Sequence, residues 1–207
     1  MIISKIEFEM LKALTCKVRV LSKGQILRAW SKPDSRQLLF SVERLISLKL
    51  VKVEFWEVVI PQSKRTPLFT WKPNDREPDT WAISEKARNR WRRQSKTVFA
   101  YQATQLAGRL FGSRSGKQIR TIERQHDLLL GEVYVDYLRS MPDLAERWYG
   151  EDTVPQAPYG VKNPDAFLFD DELKPRRVIE STGAYSQKQV KSFHKYCRIN
   201  KLPYELW

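Results

Sequence analysis

The sequence predicts an α+β protein in two parts: three helices and a β-hairpin in front, then a helix, a strand pair, a helix and a strand behind. Three observations predict it. An apolar repeat at three and four residues gives way to alternation after Leu48. A second helical repeat ends near Met141 and is followed by two strand-like runs. The charge changes sign between the two parts. Residues 1–72 carry 14 Lys+Arg against 6 Asp+Glu, and residues 73–125 carry 12 against 5. Residues 126–207 carry 11 against 13, in a chain of net charge +13.

In the front part, Ile3, Ile6, Met10, Ala13 and Leu14 form the stripe of a first amphipathic helix. The second helix starts at Ser22, with Gln25 placed to close a capping box and Leu21 and Ile26 at the staple positions. Pro33-Asp34-Ser35 announces a third helix with Leu38, Val42, Leu45 and Ile46 as its inner stripe. Its other face carries Arg36, Gln37, Ser41 and Arg44, residue types that contact phosphates and base edges in a major groove. Val51, Val53 and Phe55 alternate with Lys52, Glu54 and Trp56, so residues 50–60 read as a strand. A loop from Pro61 to Pro67 carries Lys64 and Arg65, and Leu68 to Trp71 reads as the returning strand. Three helices and a hairpin with a basic tip describe a winged helix-turn-helix, whose third helix enters DNA while the wing touches flanking phosphate.

Residues 73–79 read as a wing extension or a linker, Thr80 to Ile83 as a short strand, and Ser84 to Arg93 as a basic helix that includes Trp91, Arg92 and Arg93. Residues 95–122 give no clear periodicity; Ser113 to Lys117 form a basic loop that lacks phosphate-loop spacing. From Glu123, one helix buries Leu129, Leu130, Val133, Tyr134, Tyr137 and Leu138, with Glu132 on it. Residues 162–169 and 177–182 are strands joined by a polar turn. A helix spans 186–200, and Leu202 to Trp207 close as a strand. That order is the one of a restriction-endonuclease-like α/β core. The neighbouring strands bring Asp165 and Glu180 together, with Glu132 as a third carboxylate, in the manner of an oxygen-rich Mg²⁺ site for phosphodiester hydrolysis.

Pro164-Asp165 followed by Glu180 resembles the PD-(D/E)XK nuclease signature. With the His126-Asp127-Leu128-Leu129-Leu130 helix start and the winged front, the chain resembles the prokaryotic replication-relaxation family of plasmids and mobile elements. The resemblance implies a DNA-binding role in replication, mobilisation or its transcriptional control. One departure separates the chain from the nuclease signature: Thr182 stands where the catalytic lysine belongs, and a hydroxyl supplies no positive charge to a developing anion. Lys188 or Lys191 on the next helix are the candidates to fill that place.

The expected organisation is therefore a winged helix over 1–95, a connecting segment over 96–122, and a nuclease-like domain over 123–207. The expected partner is double-stranded DNA, bound by a homodimer through Arg36, Gln37, Ser41, Arg44, Lys64, Arg65, Arg92 and Arg93. Catalysis is not expected. The alternative is a metal-dependent endonuclease using Asp165, Glu180, Glu132 and Lys188, with Mg²⁺ as its only cofactor. No apolar run approaches the roughly 20 residues of a membrane span, and Lys5, Glu7 and Glu9 interrupt the opening stretch, which is not read as a signal peptide. Two cysteines and two histidines are too few for a disulfide framework or a zinc ribbon, which places the chain in a reducing cytoplasm.

Overall fold

The computed structural model describes residues 2–30, 34–59, 66–91, 94–155 and 163–207. Lys64, Arg65, Arg92 and Arg93 lie outside the described residues. Helix α1 (Lys5–Lys12) starts at Ser4, whose hydroxyl accepts the Glu7 N–H while the Glu7 carboxylate accepts the Ser4 N–H. It runs into one π-helical turn, Ala13–Lys17. Strand β1 (Leu21–Ser22) leads directly into α2 (Lys23–Ala29), and Ser22 and Gln25 form the predicted capping box. Asp34 caps α3 (Ser35–Ser47), which turns Leu38, Val42 and Leu45 inward as the periodicity requires.

The hairpin differs from its prediction. Strand β2 (Val51–Val58) does not pair with the run that follows it. Its partner is β4 (Lys96–Ala103), antiparallel from Val51 opposite Ala103 to Val58 opposite Lys96. Strand β1 lies on the other side of β4, giving a three-stranded antiparallel sheet in the order β1-β4-β2. Strand β3 (Phe69–Trp71) instead joins a second sheet, where it pairs antiparallel with β8 (Tyr204–Leu206). The physical reason is burial. The Trp71 ring stacks on Tyr204 at 5.6 Å and meets His194 edge-on, an apolar site that the front sheet does not offer it. Residues 96–103, read as part of a connecting segment, are thus the middle strand of the front sheet.

The segment between β2 and β4 also contributes α4 (Thr80–Asn89). The strand expected at Thr80 to Ile83 is the first turn of this helix, because Asp79 accepts the Ala82 N–H at 2.9 Å and starts the helix before Ser84. After β4 come the short helix α5 (Gln105–Leu110) and a 3₁₀ turn, Thr121–Glu123. The back half is α6 (Arg124–Ser140), α7 (Pro142–Glu146), β5 (Trp148–Gly150), β6 (Ala166–Phe169), β7 (Pro175–Glu180), α8 (Gln187–Ile199) and β8. The second sheet has the order β3-β8-β7-β6-β5. Strands β5, β6 and β7 form an antiparallel meander, and β7 runs parallel to β8 across the α8 crossover.

Helix α6 is buried nearly all round: Asp127, Leu128, Leu129, Leu130, Gly131, Val133, Tyr134, Val135 and Tyr137 are all inaccessible. Such a helix belongs between layers rather than on a surface. Leu128 packs with Val20, Trp56, Val58 and Ala100 of the front sheet region. Tyr134 and Tyr137 pack edge-on against Trp148 of the second sheet. Two glycines allow this close approach. A Cβ on Gly131 would sit 2.8 Å from the Val20 carbonyl oxygen, and one on Gly150 would sit 2.5 Å from that of Lys17. The Lys17 ammonium is buried too, donating to the Glu146 and Trp148 carbonyls at 2.6 and 2.7 Å; burial pushes its pKa down to about 8.

Candidate functional site

Two places collect the residues singled out by the sequence: the outer face of α3 and the ends of β6 and β7. On α3, Arg36 and Gln37 are exposed. Ser41 is half-buried, and its hydroxyl donates to the Gln37 carbonyl at 3.1 Å, so its proton stays within the helix. The Arg44 side chain is half-buried and engaged within the protein. Its guanidinium lies 2.6 Å from the Glu7 carboxylate, which is 2% exposed, and donates a second 2.6 Å bond to the Ile2 carbonyl. It clamps α3 to the start of α1. Periodicity placed Arg44 on the outer face correctly but gave no sign of a buried carboxylate waiting across from it. The sequence reading passed over Phe40, which is 67% exposed one turn before Arg44.

At the ends of β6 and β7, Asp165 and Glu180 do meet. The Asp165 N–H donates to Glu180 Oε2 at 3.1 Å. Asp165 Oδ2 accepts from the Ser181 N–H at 2.8 Å and lies 2.9 Å from His126 Nε2. The Tyr185 hydroxyl donates a short bond to Glu180 Oε1. Both carboxylates are buried, at 1% and 3% exposure. The third expected carboxylate is elsewhere: Glu132 points from α6 toward α2, where it pairs with Arg28 and accepts from Gln25 Nε2 at 3.1 Å. Helix α6 contributes His126 and Asp127 to the Asp165 region instead. Among the described residues no three His, Cys, Asp or Glu side chains are arranged to hold a metal ion. The donors already on Asp165 and Glu180 are protein N–H and O–H groups and an imidazole, so the arrangement does not fit the Mg²⁺ site of the alternative reading.

The charges here are met in part by cations from the chain itself. His126 stands between Asp127 Oδ1, 3.0 Å from its Nδ1, and Asp165. Burial disfavours its charged form, but the Asp165 and Asp127 carboxylates outweigh that and hold its pKa well above the ordinary value. Beside it, the Arg19 guanidinium lies within 3.2 Å of Asp127, 3.4 Å of Glu151, 3.6 Å of Glu123 and 3.9 Å of Asp152. One guanidinium does not neutralise so many carboxylates. Burial, with the charge of Asp165 next, pushes Glu151 up to about 7 against the pull of Arg19. Sequence reasoning missed this hub. Its one visible trace is Val18-Arg19-Val20, a lone charge inside an apolar run, which implies a buried partner.

Thr182, in the place of the missing lysine, is fully buried and serves as a tie. Its N–H and hydroxyl bond the Trp207 carbonyl at 2.8 and 2.9 Å, and Arg90 Nη2 at the end of α4 donates to its hydroxyl at 2.7 Å. Burial lowers the Arg90 pKa to about 10. Lys188 and Lys191 are exposed on α8. A cleft of about 440 Å³ beside Glu180 is lined by Tyr185, Gln189, Phe193, Lys195 and Tyr196 of this region. The lysine that α8 brings to it is therefore Lys195, not Lys188.

The molecule is thus a mixed α+β protein with two sheets and one shared buried helix. Comparison with protein-family models, curated proteins and solved structures found no match to this chain. No helix among the described residues is long and apolar enough to cross a membrane.

Proposed function

We propose that the protein binds double-stranded DNA through α3, as a homodimer, with a nuclease-like back half that frames the DNA-binding part and does not cut. The observation that carries this reading is the outward face of α3, which presents Arg36 and Gln37 from a segment of strong positive charge. The front sheet supports a winged-helix reading, with β4 rather than β3 as the return strand of the wing. Pairing of two such modules suits palindromic half-sites. The order of α6, β5, β6, β7, α8 and β8, with β7 and β8 parallel, supports the nuclease-like reading of the back half. The internal partners of Asp165 and Glu180, and Thr182 bonded in place of a lysine, speak for a framing role over hydrolysis. On the residues quoted above, the setting we favour is replication, mobilisation or transcriptional control of a plasmid or mobile element.

The test is duplex binding as a function of salt. If about six phosphates are neutralised, affinity falls by roughly 10³ between 50 and 200 mM salt. Affinity that is flat over this range overturns the reading.

A further inference from the structure

The outer face of α3 carries an exposed apolar residue that phosphate binding does not explain. Phe40 stands one helical turn beyond Arg36 and Gln37, and its ring is 67% exposed while Leu38, Val42 and Leu45 fill the inner stripe. The polar neighbours that periodicity assigned to reading bases are partly committed elsewhere: Ser41 to the Gln37 carbonyl, Arg44 to Glu7 and Ile2. What α3 offers outward is therefore Arg36, Gln37, the Glu43 carboxylate, small serines and one bare aromatic ring. In a major groove the one apolar group on a base edge is the C5-methyl of thymine, and a phenyl ring is among the side chains that contact it. Resting on the DNA-binding reading above, we infer that Phe40 is a specificity residue that recognises thymine methyls, so that preferred sites carry thymine opposite the middle of α3. Arg36 and Gln37, one turn nearer the helix start, then supply the polar contacts to the neighbouring base edges or phosphates.

The experiment removes the methyl and nothing else. A duplex selected by the full chain from a randomised pool is resynthesised with deoxyuridine in place of thymidine, and both forms are titrated with the wild-type protein and with Phe40→Ala. The wild type is expected to bind the thymidine form more tightly, by about fourfold for each methyl contacted. Phe40→Ala is expected to bind the two forms alike. Its thermal midpoint should match the wild type, since the ring already faces water. Equal wild-type affinity for both forms overturns the inference and leaves the DNA-binding reading in place, as does a Phe40→Ala variant that keeps the full methyl preference. Failure to bind any duplex overturns the DNA-binding reading, and this inference falls with it.

Discussion

Replacing Arg44 by Ala removes the guanidinium that holds Glu7, 2.6 Å away, and the Ile2 carbonyl. Breaking a fully buried pair from one side costs about 3–5 kcal/mol. Arg44 is itself 38% exposed, and Glu7 keeps the 2.7 Å bond from the Ser4 N–H, so the expected loss is nearer 2 kcal/mol. For a chain of this size that lowers the thermal midpoint by about 4–8 °C. The pH dependence has a definite sign. Burial raises the Glu7 pKa, but the Ser4 N–H and Arg44 outweigh it and hold it below 4.5. A depressed carboxylate contributes stability that is present above its unfolded pKa and lost as pH falls through the folded one. The gap between wild type and Arg44→Ala should therefore be full at pH 7 and narrow as pH falls below 4.5 through the depressed folded pKa. Thermal unfolding followed by circular dichroism over that range measures it, with Arg36→Ala, which lacks such a partner, as the unchanged control. An Arg44→Ala protein that melts with the wild type yet loses affinity for a preferred duplex would refute the clamp and restore Arg44 as a base reader.

Three other outcomes follow from the geometry. Asp165→Asn should lower stability by about 3 kcal/mol, because it strips one of the two buried counter-charges from His126, while nicking of supercoiled DNA with Mg²⁺ or Mn²⁺ stays undetectable before and after; robust wild-type nicking abolished by the variant would reverse the framing role. Glu151, raised to about 7, holds its proton more tightly folded than unfolded, so its contribution to stability is lost as pH rises from 4.5 through 7. Glu151→Gln should thus gain on the wild type across that window, by about 2 kcal/mol at most given the partial exposure of the side chain, in urea titrations at pH 5 and pH 8. A fragment of residues 1–95 lacks β4, the strand between β1 and β2, and should show no cooperative unfolding transition; a sharp one would mean the front sheet forms without it.

Local signals carried well into structure where local physics decides. The Ser22–Gln25 capping box, the α3 stripe of Leu38, Val42 and Leu45, and the α8 span all depend on residues within a turn or two of each other. Strand partnership does not. Lys96–Ala103 showed no alternation because its last four residues are all buried, with Ala100 in one core and Tyr101 in another, so the strand could not be read and β3 was paired by proximity in sequence. In β2, Trp56 is buried and Phe55 is 68% exposed, a choice of face that depends on where α6 lies. The meeting of Asp165 with Glu180 was legible from the strand order. The partners that quench them, His126, Tyr185 and the Ser181 N–H, were not, because two come from outside the strand pair and one is backbone.

The crossing of the segment between β2 and β4 has a consequence for the chain as it leaves the ribosome. Strand β2 has no ladder partner until residues 96–103 have been made, and β3 has none until Tyr204–Leu206 has emerged. From the synthesis of residue 71 to that of residue 103, then, the nascent chain holds helices α1 to α3 and two strands whose edges are unsatisfied, and β3 stays unpaired until β8 is made. Pairing across such sequence distances is slow, and open edges invite association with other chains. A nascent chain of this design gains from whatever shields Trp56 and Trp71 until α6 and β8 arrive to cover them.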